Sequence, residues 1–344
     1  MARLVDVAKL AGVSPMTVSR VVRGSGPVSV DVRRRVEAAI AETGYMPNVL
    51  ARSLRSKRTN LIALLVTDLT NPFFTTLAHG VEAAANDAGM MVILGNSNED
   101  QDEEELYVTM LLQRQIDGVL IVPAGAGERV IKKCREQDTP LVVLDRRIRR
   151  GAADVVRTDS RVGAYEMGRY IASLGHSRTA ILTGPRSVST AMDRAAGFRD
   201  AMREAGHERS VQVVHGRFSI ESGAEMARAI MSRPDRPTAI FAGNNFIAIG
   251  VLHALEDMNI RVPEDVAVVG FDDLPSAMVT FPFLTVVAQP ALEMGRRAVE
   301  LLVERIQHPG RHRVQDVVFP TELVIRKSSG GPLPVMAPEE SAAS

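Results

Sequence analysis

A single cysteine, Cys134, in 344 residues rules out an intrachain disulfide. It sits in KKCREQ, which reads as a helix surface carrying a bystander thiol. No run approaches about 20 apolar residues, so no membrane-spanning helix and no membrane partner are expected. The start, MARLVDVAKLAGVS, carries Asp6 and Lys9 inside its apolar stretch and lacks the uninterrupted core of a secretory signal. Cytoplasmic residence is the resulting expectation. His308 and His312 have no cysteine or carboxylate at ligand spacing, which argues against a metal site. GPRS at 184–187 and the scattered glycines form neither a P-loop nor a GxGxxG turn. No Ser/His/Asp order and no paired acids stand out, so neither catalysis nor a cofactor is expected.

Net charge is absent too, but its distribution is uneven. Residues 1–58 hold eleven Lys and Arg against four acids, a net +7 that the other 286 residues balance with −7. A basic end on an acidic body suggests a polyanion partner at that end, although a solvated basic surface gives the same count.

Val5, Val7, Ala8, Leu10 and Ala11 predict a short apolar-faced helix that Gly12 stops in the left-handed conformation. Ser14 is placed to cap a second helix and Pro15 to occupy its first position. A helix, a three-residue turn and a helix is the spacing of a DNA-binding helix-turn-helix. Val18, Val21 and Val22 recur at helical spacing and point inward, while Met16, Arg20 and Arg23 share another face. In a major groove Arg20 would meet a guanine edge bidentately. Pro15 and Met16 would offer apolar contact, and the Thr17 and Ser19 hydroxyls would reach phosphates. A third helix is predicted over about 29–42 and ends at Gly44. Beyond Tyr45-Met46-Pro47, Asn48 can cap a short helix over 49–55, too short to be stable alone in water.

From residue 61 short apolar runs alternate with helical patterns. Candidate strands are LIALLVT, MVILGN, GVLIVP, PLVVLD, RTAILTG, VQVVHG, TAIFAG, VAVVGF and LTVVAQ, with a last strand at 316–325. Strands without polar alternation are buried on both faces, and the βα rhythm predicts two doubly wound parallel sheets. The stretch RRIRRGAADVV reads as the loop-like break between them. Ligands in such sheets bind beyond the carboxyl ends of the strands. That rule selects Asn71, Phe73, Phe74, Asn96, Asp145, Asn244, Asn245, Asp272 and Asp273. Amides, carboxylates and aromatic faces suit the hydroxyls and apolar face of a sugar.

The segment VDVAKLAGVSPMTVSRVVRG, continuing through GYMPNVLARSLRSKRTNLIALLV, resembles the head and hinge of the lactose/galactose/purine repressor family, ungapped for about sixty residues. LVTDLTNPFF, DRAAGFRDAM, GRFSIESG, FAGNN and VVGFDD resemble segments of its effector core. The resemblance implies an N-terminal all-α helix-turn-helix domain with a hinge helix, followed by a two-lobed α/β core of the periplasmic-binding-protein type. It also implies a homodimer on a pseudo-palindromic double-stranded operator, gated by a small sugar-like effector. To the DNA contacts read from the helix faces, Ser14, Pro15, Met16, Thr17, Ser19, Arg20 and Arg23, the resemblance adds Tyr45, Asn48 and Arg52. Leu54 would wedge into a base step. Asn71, Phe73, Phe74, Asp145, Arg194, Phe218, Asn244, Asp272 and Gln289 would form the effector site. Arg23-Gly24 departs from the usual Asn-Gly, and PMTVSRVVR is closer to gluconate-repressor-like members. Asn245 stands where the family usually has Asp, which favours an anionic ligand such as a sugar acid paired with Arg194.

The expected domains are 1–47, a hinge and linker at 48–60, a core at 61–326 and a disordered tail at 327–344 without a tetramerising heptad. The lobes are expected near 61–160 plus 290–318 and near 161–289 plus 319–326. Other readings stay open for single residues: Asp272 as a turn cap, Phe74 and Phe218 as core, Arg194 as an interlobe ion pair. For the whole chain the alternatives are a solute-capturing receptor and an α/β enzyme.

Overall fold

The computed structural model describes residues 2–23, 26–46, 58–275, 281–310 and 313–331. Asn48, Arg52, Leu54, the expected hinge helix and the tail from residue 332 lie outside the described residues. The chain forms two compact units, Met1–Thr59 and Asn60–Ser344.

The first unit contains α1 (Leu4–Ala11), α2 (Pro15–Arg23) and α3 (Val30–Thr43). Each boundary has a local cause. Gly12 leaves α1 at φ +64°, a conformation that costs glycine no Cβ clash. The Ser14 hydroxyl accepts from Thr17 N at 3.2 Å, and the Ser29 hydroxyl accepts from Val32 N at 3.4 Å. Val7, Ala8, Ala11, Val18, Val21, Val36 and Ala39 make a small shared core, against which Tyr45 packs half-buried.

The second unit is built on two six-stranded sheets of the same winding. The first holds β1 (Leu61–Val66), β2 (Met91–Asn96), β3 (Gly118–Ile121), β4 (Leu141–Leu144), β5 (Asp154–Thr158) and β11 (Asp316–Phe319), in the order β11-β5-β4-β3-β1-β2. The other holds β6 (Thr179–Thr183), β7 (Val211–His215), β8 (Ala239–Ala242), β9 (Ala267–Phe271), β10 (Thr285–Ala288) and β12 (Glu322–Val324), in the order β12-β10-β9-β8-β6-β7. The helices are α4 (Pro72–Asp87), α5 (Gln101–Gln113), α6 (Glu128–Glu136), α7 (Ser160–Ser173), α8 (Ser189–Glu204), α9 (Ile220–Met231), α10 (Asn245–Asp257) and α11 (Ala291–Gln307). Strand by strand, β1 to β5 correspond to β6 to β10. The chain passes between the sheets after β5, after β10 and between β11 and β12.

Four expectations need correction. The loop-like stretch before residue 158 contains β5, whose Val155 and Val156 are buried between β4 and β11. The arginines ahead of it mask so short an apolar run. The single strand expected at 316–325 is two strands in different sheets, parted at Pro320, and β12 runs antiparallel to β10. Disorder does not begin at residue 327: Lys327–Ser329 form a 3₁₀ turn in which the buried Ser328 hydroxyl donates to Val268 O at 2.6 Å. Cys134 is 1% exposed rather than on a helix surface, and burial pushes its thiol up to about 12.

Close helix contact in the first lobe depends on two glycines. A Cβ at Gly80 would lie 2.1 Å from the Leu292 carbonyl oxygen, and one at Gly295 would lie 2.3 Å from that of Leu77. Gly295→Ala is therefore expected to lower stability by about 1–3 kcal/mol through overpacking, read as an earlier urea midpoint. An unchanged midpoint would show that α4 and α11 can slide apart freely.

Candidate functional site

The two lobes face each other across the carboxyl ends of their strands. A pocket of about 430 Å³, counting its open mouth, is lined there by residues of both lobes. Asn71, Phe73, Phe74 and Asp145 come from the first lobe, and Arg194, Phe218, Asn244 and Asp272 from the second. The structure thus brings together eight of the nine expected effector residues. Gln289 stands behind them: its Nε2 donates to Asp272 Oδ1 at 2.5 Å. Its Oε1 accepts from the Thr158 hydroxyl of the other lobe.

Asp145 and Asp272 occupy equivalent places. Each directly follows a corresponding strand, β4 or β9. Each donates its N–H across the sheet at 2.9 Å, to Val156 O and Val287 O. Each has a left-handed backbone, at φ 62° and 69°, uncommon for a residue with a side chain. Both carboxyls are pushed up by burial, against the lowering pull of Arg194, and Asp145 reaches about 6.

Arg194, four residues after Thr190 on α8, is 3% exposed. Its Nη1 donates to Gly243 O at 2.6 Å and lies 3.6 Å from Asp272 Oδ2. Its guanidinium carbon sits 3.7 Å from the centroid of the Phe271 ring, a cation–π contact. All these partners belong to its own lobe, so it is not an interlobe ion pair. Phe73 and Phe74 meet edge to face at 5.1 Å. Both help form the first lobe's core as well as the pocket wall, and Phe218 likewise packs on the second core. Gly184 makes room for Phe218, since a Cβ there would lie 2.3 Å from the ring. Asn244 caps α10 by accepting from Ile247 N at 2.9 Å. Asp272 accepts from Gln289 instead of capping a turn.

Sequence reasoning missed Asp68, Glu99, Arg146 and Thr190, which also line the pocket. Asp68 and Arg146 lie just past strand ends, where the rule used for Asp145 reaches them. Thr190 shares the helical face of Arg194. Glu99 carries no sequence signal, because it stands in a loop. Three expected residues turn elsewhere. Asn96 accepts from Leu69 N at 3.1 Å. Asp273 is gripped by Arg326 at 2.6 and 2.7 Å. Asn245 forms a reciprocal amide pair with Asn71, both bonds 3.0 Å, across the interlobe seam. An aspartate at 245 would lack the donor half of that pair. On the same seam Arg147 donates its backbone N–H to the Ser189 hydroxyl at 2.8 Å and grips Asp193 at 2.5 and 2.6 Å.

Three buried polar atoms of the pocket have no hydrogen-bond partner: Asp145 Oδ1, Arg146 Nε and Arg194 Nε. One acceptor and two donors converge beside aromatic faces, a pattern suited to hydroxyls, which both donate and accept.

In the first unit Ser14, Pro15, Met16 and Arg20 are exposed on or just before α2, with Met16 60% open, and Thr17 and Ser19 are half-buried. Val18 and Val21 face the core. The side chain of Arg23 lies outside the described residues. No helix among the described residues is long and apolar enough to cross a membrane.

Residues 3–48 match the model of "Bacterial regulatory proteins, lacI family", and residues 59–327 match "Periplasmic binding proteins and sugar binding domain of LacI family". The chain is 37% identical to the ribose operon repressor of Escherichia coli K12, covering 90% of this chain and 94% of the relative. It is 34% identical to the transcriptional repressor PurR of Photobacterium profundum, over 95% and 98%. Among solved structures it resembles the lac repressor dimer bound to operator and an anti-inducer (TM-score 0.85, 27% identity, 95% and 99% covered). It also resembles a regulator from Enterococcus faecium with bound ribose (TM-score 0.71, 30% identity, 78% and 98% covered).

Asp145 has a pH signature. Between its ordinary 3.8 and about 6 the folded chain holds a proton that the unfolded chain has released, so this residue's contribution to stability declines as pH rises through that window. Asp145→Asn escapes the decline. Its stability relative to the parent should increase from pH 4 to pH 7, measured by urea unfolding at both. A constant difference would contradict a raised carboxyl.

Proposed function

The chain belongs to the lacI family of bacterial regulatory proteins, and from that premise we propose that its effector is an uncharged pentose of the ribose class, held between the lobes. The chain is a DNA-binding transcriptional regulator controlled by a small molecule, not an enzyme. The carrying observation is the trio of unpartnered buried atoms, Asp145 Oδ1, Arg146 Nε and Arg194 Nε, in a pocket walled by Phe73, Phe74 and Phe218. Neighbouring ring hydroxyls would accept from the two Nε–H groups and donate to the carboxylate, while the sugar's apolar face would lie on the aromatics. Asn71, Asn244, Asp272 and Thr190 complete the proposed contacts, and Gln289 holds Asp272 in place.

A sugar acid fits less well. Arg194 already faces Asp272, and Asn245 bonds Asn71 rather than lining the pocket. The relatives that act on ribose operons or hold ribose agree with a pentose. The PurR relative makes a purine the competing ligand, which the same aromatic walls could stack.

In the head, Arg20 and Met16 on α2 would read bases, Ser14, Pro15, Thr17, Ser19, Arg23 and Tyr45 would contact the groove or backbone, and Asn48, Arg52 and Leu54 would follow in the hinge. One head reads a half-site, so a homodimer on a pseudo-palindromic operator is proposed. Residues 1–47, 48–60 and 61–326 would be its functional divisions, and the cytoplasm its site of action. Effector binding would change operator affinity by about 1–3 kcal/mol.

D-Ribose at 100 times its dissociation constant should stabilise the full chain by about 2.7 kcal/mol in a thermal-shift assay, and Arg194→Ala should abolish the shift. A shift with purines or aldonates and none with neutral pentoses would overturn the pentose reading. Arg20→Ala should relax preference at one operator base pair by about 1–3 kcal/mol in competition binding. A uniform loss at all positions would make Arg20 a phosphate contact instead.

A further inference from the structure

We propose that Glu99 is the pocket's charge-exclusion residue, a positioning group that neutralises and orients Arg146 so that the site takes an uncharged polyol and rejects its anionic derivatives. The inference rests on the pentose reading for the neutral partner alone. Arg146 is 2% exposed, and a cation so buried demands a counter-charge. Glu99 supplies it through a two-pronged grip, Nη1 to Oε2 at 2.7 Å and Nη2 to Oε1 at 2.5 Å, while Nη1 also donates to Pro123 O at 2.7 Å. This fork spends both terminal nitrogens and fixes the guanidinium plane. Nε is the Arg146 nitrogen that has no protein partner. A donor with its charge already matched favours a hydroxyl. A carboxylate or phosphate in the same place would meet Glu99, Asp145 and Asp272 without an unmatched cation.

Glu99 is held at the pocket by an unfavourable backbone. Asn98 and Glu99 are consecutive left-handed residues, at φ 51° and 58°. Neither is glycine, so the loop is strained at both. Side chains keep it there: Asn98 Oδ1 accepts from Asn96 Nδ2 at 2.6 Å, and Asn98 Nδ2 donates to Glu103 Oε2 at 2.8 Å. Asp100 then caps α5, accepting from Asp102 N and Glu103 N at 2.7 and 2.9 Å. The outcome of this arrangement is one carboxylate delivered to one buried guanidinium. The other pocket cation, Arg194, has its own carboxylate in Asp272. Removing the charge of Glu99 therefore takes the ion pair from Arg146 and lowers the negative charge facing a ligand by one.

The test compares D-ribose and D-ribonate by calorimetry on the full chain and on Glu99→Gln and Glu99→Asp, each first shown to melt cooperatively. Glu99→Gln should gain about tenfold or more in D-ribonate affinity, the effect of one charge contact of about 1.4 kcal/mol. Glu99→Asp, which keeps the charge, should retain the parent's exclusion of D-ribonate. No gain in Glu99→Gln, or an equal gain in both variants, overturns the proposal. Failure of the parent to bind D-ribose would instead remove the pentose reading, and the D-ribonate comparison would still decide the role of Glu99.

Discussion

Two guanidiniums buried against carboxylates at the strand ends set the character of the core. Arg194 faces Asp272 and Arg146 is gripped by Glu99, each in a place with little water. An ion left alone there would cost several kcal/mol, so each of these cations requires its acid. Asp272 and Glu99 both meet these cations from left-handed backbone positions at the pocket. The same matching leaves few polar atoms for a ligand, and those few ask for hydroxyls rather than for net charge.

The proposed ligand groups are also tied to the seam between the lobes. Asp272 is held by Gln289, whose other end is held by Thr158 of the opposite lobe. Asn71 lines the pocket and pairs with Asn245 across the gap. Arg147, next to Arg146, grips Asp193 on the helix that also carries Arg194. A ligand touching these groups would lose some of its contacts if the lobes parted, and a difference in free energy of that kind is what a regulated equilibrium needs. The reciprocal amide bond at Asn71 and Asn245 gives a physical reason for the amide at 245. It holds the seam without placing another charge beside the cations.

Legibility tracked how local the cause of each feature is. Gly12, Ser14, Ser29 and Gly44 act within a turn of their own position, so the helices of the head could be read directly. Apolar runs without alternation announced buried parallel strands, and the rule that ligands sit past strand ends led to Asn71, Asp145, Asn244 and Asp272. The strand Asp154–Thr158 was hidden because its apolar run is short and arginine-flanked, and because one of its two partners, at 316–319, lies far along the chain. Ser328 and Ser329 read as tail for a similar reason: polar residues become interior when distant partners meet them, here the acceptor Val268 O and the donor Thr285.

By itself, then, the sequence determined the kinds of element, the basic head, the two α/β halves and, at the strand ends, Asn71, Asp145, Asn244 and Asp272 of the pocket. These follow from periodicity, capping and composition, which act over a few residues. Only the tertiary structure decided which carboxylate neutralises which arginine, that Asn245 joins Asn71 instead of a ligand, and that Cys134 is interior. Those outcomes depend on distances between segments tens to hundreds of residues apart. Such distances are set by how two sheets pack their helices and face each other, and no local pattern encodes them.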